Sequence, residues 1–215
     1  MLTFVLISDY NISTKVGEYM SSKVLNQLLQ DNKGILRSAD AAAAGISKDC
    51  LYRFIKENNL EKAAHGIYLA PDSIVDSMFL LQSQIPKVIF SHETALYLHD
   101  LSEMEPMPLS VTVPSSYHSR SLTETGTTIY YAKPAWYLLG VMELESPSGF
   151  PVKVYDMERT ICDIIRKRTR MDISVFNYAI KEYMKRKDKN LVQLMKYATE
   201  LRMEQQLREA IGVLL

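Results

Sequence analysis

An α/β chain of the α+β kind, built in two parts, is what this sequence predicts, and three patterns predict it. Short helical periods, a Gly-marked turn and one hairpin crowd into the first 71 residues. Apolar runs of strand length occupy the middle of the chain, and amphipathic helices then follow one another to the C-terminus. The 215 residues suit one large domain or two small ones and are ample for a buried core. With 47% apolar and 23% charged residues, wholesale disorder is excluded.

The elements follow in order. Residues 1–16 show no helical period and read as an N-terminal extension, with Met20 a second candidate start. From Tyr19 to Gln30, Val24, Leu25, Leu28 and Leu29 make one helical face, and Asn32-Lys33-Gly34 stops it. Ile35-Leu36 is a short strand. Ser38 is placed as the cap of a helix from Ala39 to Ala44, ended by Gly45. Ser47 caps a second helix, Lys48 to Asn58, with Leu51, Phe54 and Ile55 on its apolar side. Leu60 to Leu69 reads as a hairpin turning at His65-Gly66, and Pro71 marks a boundary. The expected domains are therefore residues 17–71 and 72–215.

Beyond the boundary, Ser73 with Asp76 reads as a capping pair for a helix reaching Gln84. Val88 to Phe90 is a buried-strand candidate, and Ser91 starts a helix through His99. Leu109–Val113, Thr128–Ala132, Val141–Leu144 and Val152–Tyr155 read as strands, the last two joined by a hairpin at Pro147-Ser148-Gly149. The tail forms a helical bundle. Its first helix buries Met157, Ile161, Ile164 and Ile165, the second is capped by Asp172, and the third by Asn190. The fourth carries Leu207, Ala210, Ile211 and Leu214.

The first part carries the clearest constellation. Ala41 is a small residue where two helices would touch, Gly45 a turn residue four positions later, and Ile46 a buried turn side chain. Leu51 and Phe54 would anchor the second helix, and the hairpin follows where a wing belongs. The pattern is that of a winged helix-turn-helix, with Asp40 the misfit because that position is usually apolar. An ordinary helical hairpin is the bland alternative. In a winged helix the second helix enters the major groove of DNA. Its outer side carries Ser47, Lys48, Tyr52, Arg53 and Lys56, and Lys62 and His65 are the wing candidates for phosphate. A solvated helix face is the competing reading of the same residues.

The charge total hides an uneven distribution. Lys+Arg and Asp+Glu both number 25, and a neutral chain attracts phosphate poorly. Residues 1–70 hold 8 basic and 7 acidic side chains, residues 71–152 hold 3 and 9, and residues 153–215 hold 14 and 9. Arg166, Lys167, Arg168 and Arg170 cluster in the basic tail, as do Lys181 and Lys185. They read either as an anionic-partner surface or as solvated cations at helix ends. Arg159 and Asp163 sit at i, i+4. They read as part of that surface or, preferably, as an ion pair orienting a helix against the sheet.

The run SADAAAAGISKDCLYRFIKENNLEKAAHGIYLAP resembles the winged-helix domain of AbiEi antitoxins from bacterial type IV toxin–antitoxin (abortive infection) systems. PKVIFSHETALYLHDLSEMEP, LSVTVPSSYH and VYDMERTICDIIRKRTRMD resemble that family's C-terminal antitoxin domain. The resemblance spans about residues 20–215. It implies a repressor that binds operator DNA of its own operon; the charge distribution adds that the near-neutral first part needs a dimer, or help from the basic tail, to hold that DNA. The resemblance also implies neutralisation of a cognate AbiEii-type nucleotidyltransferase toxin without a stable complex. Where the family's wing carries a basic residue before its Gly, this chain has His65.

Other function classes find less support. His65, His92, His99 and His118 have no metal-ligand spacing with Cys50 and Cys162, and no cofactor or catalytic motif is present, so an enzyme is not expected. Phe4 to Ile7 is too short for a membrane span, which leaves a cytoplasmic protein as the expectation. The alternatives are a one-component regulator sensing a ligand through its second domain, and an adaptor using the acidic middle segment.

Overall fold

The computed structural model describes residues 17, 19–71, 73 and 76–212. The expected extension over residues 1–16 lies outside them. The chain divides between Val75 and Asp76 into two compact units.

The first unit is built on small and aliphatic contacts. Helix α1 spans residues 19–31, and β1 (Ile35–Arg37) leads into α2 (Ser38–Ala43) and α3 (Lys48–Glu57). The hairpin β2 (Glu61–Ala64) and β3 (Ile67–Leu69) completes an antiparallel sheet in the order β1-β3-β2. Leu25, Leu36, Ala41, Leu51, Phe54, Leu60 and Tyr68 pack into one core. Ala41 is fully buried, and the Ile46 amide donates to its carbonyl at 2.9 Å, so the turn closes directly over the small residue. Gly45 in that turn has φ +76°, a conformation that costs a side-chain-bearing residue about 1–2 kcal/mol.

One of two expectations about caps changes here. Ser47 does cap α3, accepting from the Cys50 amide at 3.3 Å. Ser38 does not cap α2. Arg37 occupies that position without a side-chain bond, and Ser38 is the first helical residue. Its amide is already taken by the Gly66 carbonyl at 2.8 Å, which draws Ser38 into the helix. Asp40 is no misfit once placed, since it sits half-buried in the first turn of α2, 3.9 Å from Arg37, where the helix dipole favours an anion.

The second unit is a mixed five-stranded sheet with helices packed on it. Its elements run α4 (Ser77–Gln84), β4 (Ile89–Phe90), α5 (His92–Leu98), β5 (Ser110–Pro114), α6 (Arg120–Glu124), β6 (Thr128–Ala132), α7 (Pro134–Tyr137), β7 (Val141–Glu145) and β8 (Pro151–Tyr155). Helices α8 (Met157–Arg166), α9 (Ile173–Lys185), α10 (Leu191–Glu200) and α11 (Glu204–Gly212) follow, with a 3-10 turn at Arg168–Arg170. Strand order is β6-β5-β4-β8-β7, with β4/β8 and β5/β6 parallel and the other pairs antiparallel. Asp172 and Asn190 cap α9 and α10 as their sequence positions predict.

The helix before β4 starts later than expected. Asp76 alone caps it, accepting from the Phe79 amide at 2.9 Å, while its second oxygen accepts from the Ser146 hydroxyl. Ser73 instead donates to the Gly34 carbonyl at 3.1 Å within the first unit. Ser91 precedes α5 but makes no cap bond, because its hydroxyl is held by Thr112 and His92. The short helices α6 and α7 have no counterpart in the sequence expectations.

Helix α8 is the centre of the second unit. Every residue from Glu158 to Ile165 is buried, although Glu158, Arg159 and Asp163 are of charged types. A helix buried on all sides must meet each buried charge with a partner. Asp156 caps it through the Arg159 amide at 2.7 Å and accepts from Tyr197 at 2.7 Å. Glu158 accepts from the Tyr183 hydroxyl at 3.0 Å and the Asn190 amide at 2.8 Å, which ties α9 and the start of α10 to α8.

Gly45 and Gly140 separate two costs of adding a methyl group. Both have positive φ, but a Cβ at Gly45 meets nothing within 4 Å, whereas at Gly140 it would lie 2.7 Å from Arg159 Cβ. Gly45→Ala should cost about 1–2 kcal/mol, and Gly140→Ala about 1–3 kcal/mol more through overpacking. Urea unfolding of the full chain measures both. Equal costs would show that Arg159 is not fixed against that backbone.

Candidate nucleic-acid interface

Packing decides which face of α3 is exposed. Leu51 and Phe54 are each 3% exposed, so the helix is pinned along one side. Ser47, Lys48, Tyr52, Arg53 and Lys56 all lie exposed on the rest of the surface, with Tyr52 56% exposed. No carboxylate lies within ion-pair distance of Lys48, Lys56 or Lys62 among the described residues. Arg53 donates to the Cys50 sulfur at 3.6 Å, a weak contact that leaves the guanidinium at the surface. Lys62 and His65 are also exposed, on β2 and in the turn after it. All seven residues are thus exposed in the first unit.

Tyr52 has a second attachment that the sequence did not signal. It hydrogen-bonds with Tyr68 on β3, and Tyr68 also bonds Ser38. Burial, and next the proximity of Tyr52, raise the Tyr68 phenol above its ordinary pKa, so it stays protonated and able to donate. Tyr52 therefore links α3 to the hairpin while its ring faces solvent.

The cluster expected as a surface in the second unit is divided by the structure. Arg159 and Asp163 are 3% and 6% exposed and pair at 3.1 Å, which matches the ion-pair reading better than an open surface patch. Arg159 also donates to the carbonyls of Trp136 at 2.6 Å and Leu139 at 3.0 Å, and its guanidinium lies 4.4 Å from the Tyr155 ring centre. Arg166 is half-buried, bonds the Leu201 carbonyl and lies over the Trp136 ring. Lys167 is half-buried, while Arg168 and Arg170 are exposed in the 3-10 turn. Lys181 is exposed, and Lys185 pairs with Glu182 at 2.6 Å.

Burial sets the ionisation of several groups. His92 is held neutral, its pKa pulled down to about 3 first by burial and then by Arg159 and Lys167. His99 is also lowered by burial, although its Nε2 lies 2.7 Å from the Tyr155 carbonyl, a contact that acts in the opposite sense. Asp163 is raised by burial, with Arg159 opposing the rise. The Cys162 thiol is pushed up to about 12, which makes it an inert core residue. Among the described residues no group of His, Cys, Asp and Glu side chains is placed to hold a metal ion, and no helix is long and apolar enough to cross a membrane.

Comparison with known proteins bears on the first unit. Residues 23–71 match a family model described as transcriptional regulator, AbiEi antitoxin. This is the family that the sequence resembles, and the matched span runs from α1 to the end of the hairpin. The downstream runs lie outside it. No curated protein matches the chain. Among solved structures, the crystal structure of RV2827C protein from Mycobacterium tuberculosis is similar with a TM-score of 0.48 and 10% identity, covering 89% of this chain and 80% of that one.

The neutral state of His92 gives a pH prediction. Below about pH 6.5 the unfolded chain binds a proton at this residue that the native state refuses until about pH 3. Stability from this group is therefore complete above the unfolded pKa. It falls by about 1.4 kcal/mol per pH unit on acidification through that window. Asp163 acts in the opposite sense, because its raised pKa lets the native state take up a proton first. In His92→Asn, which tolerates the positive φ, the slope of unfolding free energy between pH 6 and 4 should be shallower than in the parent by up to about this amount. An unchanged slope would mean that His92 is not held neutral.

Proposed function

We propose that this chain is an antitoxin whose first unit binds operator DNA and represses its own operon. Its second unit counteracts a nucleotidyltransferase-type toxin. The observation that carries the DNA-binding half is the exposed face of α3, where Lys48, Tyr52 and Lys56 recur at four-residue spacing beside Arg53. The match of residues 23–71 to a transcriptional regulator and antitoxin model supports that half and the antitoxin class alike. Neutralisation of a toxin, without a stable complex, rests on the resemblance of the downstream runs.

The chemistry of this reading is specific. The N-terminal turns of α3 would approach base edges, with Arg53 suited to a bidentate contact with guanine. Lys48 and Lys56 present ammonium groups to phosphates, and Lys62 and His65 reach the backbone from the wing. Asp49 and Glu57 share the exposed surface of the same helix and weaken its field. With 8 basic and 7 acidic residues in the first 70, one copy of this unit gives modest affinity. A dimer on a palindromic site would double the contacts, with half-sites about one DNA turn apart.

Electrophoretic mobility of the DNA upstream of the gene tests this directly. Arg53→Ala should weaken binding to that DNA by about 1–3 kcal/mol and relax discrimination against unrelated duplexes. Lys56→Ala should weaken binding to all sequences alike and reduce the salt slope by about 1. Undiminished binding by an Arg53→Ala, Lys48→Ala double variant would remove α3 from the interface.

A further inference from the structure

The second unit contains a concave site that the functions above do not use. It is a cavity of about 180 Å³ beside β6 and α7, against the C-terminal end of α8. Lys133, Arg159, Arg166 and Lys167 line it together with one carboxylate, Asp163. Arg159 already neutralises Asp163 at 3.1 Å, and Arg166 is committed to the Leu201 carbonyl and the Trp136 ring. Lys133 and Lys167 have no carboxylate within ion-pair distance among the described residues. Glu93, whose charge reaches Tyr130, accepts from the Ser110 hydroxyl at 2.7 Å and is not among the lining residues. The walls therefore carry surplus positive charge, and a concave surface concentrates its field.

An independent feature points into the same cavity. His92 lines it, is 4% exposed, and has φ +49°, a conformation uncommon outside Gly and sustained only where the surroundings impose it. Its ring stacks on Tyr130 with centroids 3.4 Å apart. The Thr112 hydroxyl donates to Ser91 at 2.8 Å, and the Ser91 hydroxyl lies 3.0 Å from His92 Nδ1. In the tautomer in which Ser91 accepts from Thr112 and gives its own proton to Nδ1, this chain of bonds is complete. That tautomer carries the imidazole proton on Nε2, which has no protein acceptor among the described residues.

The donor set defines the ligand. One imidazole N–H and two ammonium groups are all donors, and they match a group that offers only acceptors and carries more than one negative charge. At about 30 Å³ per water, the cavity has the space of about six waters. That is enough for a phosphoryl group and the atoms next to it, and less than pockets for drug-sized molecules provide. We propose that this cavity binds the terminal phosphate of a phosphomonoester, with His92, Lys133 and Lys167 as its donors. A free nucleotide and a phosphate-ended nucleic-acid strand present the same chemistry.

Calorimetric titration of the full chain at fixed ionic strength distinguishes these sources. The probes are inorganic phosphate, a nucleoside 5′-monophosphate, and a short single strand with and without a terminal phosphate. Saturable binding is expected for at least one phosphorylated probe. A strand source requires the phosphorylated strand to bind about tenfold more tightly than its hydroxyl-ended twin. A nucleotide source shows as tighter binding of the monophosphate than of either strand. Lys133→Gln with Lys167→Gln should weaken that binding by about tenfold or more and leave thermal unfolding in place, since neither lysine is buried. Arg53→Ala should not affect it, which separates this site from the DNA-binding face of α3. No saturable binding by any phosphorylated probe would overturn the proposal. Equal affinity in the double lysine variant would overturn it too.

Discussion

Arg159 carries a charge that burial to 3% exposure removes from water, so the protein must meet it in place. Asp163, two backbone carbonyls and the Tyr155 ring do so, and they come from α8, from α7 and the turn after it, and from β8. Because those groups must converge on one guanidinium, the position of α8 against α7 and β8 follows. Gly140 is required for the same reason, since a Cβ there would collide with the Arg159 side chain. Removing one partner of such a pair costs about 3–5 kcal/mol, mostly from the charge left behind. The pair also fixes one wall of the cavity that His92 lines, so a structural ion pair becomes the support of a candidate binding site.

The first unit follows a different logic. Its core is aliphatic and aromatic, closed at Ala41 and Gly45, with no buried ionisable pair among the described residues. Fixing Leu51 and Phe54 inward leaves Lys48, Arg53 and Lys56 outward, so the candidate recognition surface results from core packing. Tyr52 and Tyr68 then join that helix to the hairpin. The chain's neutral total does not describe this surface, because it sums an acidic middle segment and a basic tail that belong to the second unit.

Local signals were the legible part of the sequence. Ser47, Asp172 and Asn190 cap helices because each bonds an amide two or three residues on. The five strands of the second unit are runs whose apolar pattern survives without tertiary help. Ser38 and Ser73 were misplaced as caps, and Ser91 holds the cap position without the cap bond, because their bonds go elsewhere: the Ser38 amide to the Gly66 carbonyl, Ser73 to the Gly34 carbonyl, and Ser91 to Thr112 and His92. Helices α6 and α7 have five and four residues, too few for a period to show. Spacing at i, i+4 revealed the Arg159–Asp163 pair but not its burial. The cavity was invisible for a related reason, since His92, Lys133 and Lys167 lie on three separated stretches that only the sheet brings together.

The DNA-facing role of α3 can be examined without altering any residue, by amide hydrogen exchange of the full chain with and without its upstream DNA. Slowed exchange should be concentrated in residues 47–57 and 61–66, the helix and wing, and should be lost with an unrelated duplex at moderate salt. Protection confined to the basic helices beyond residue 156, with α3 unaffected, would contradict the assignment of the winged helix as the reader of DNA.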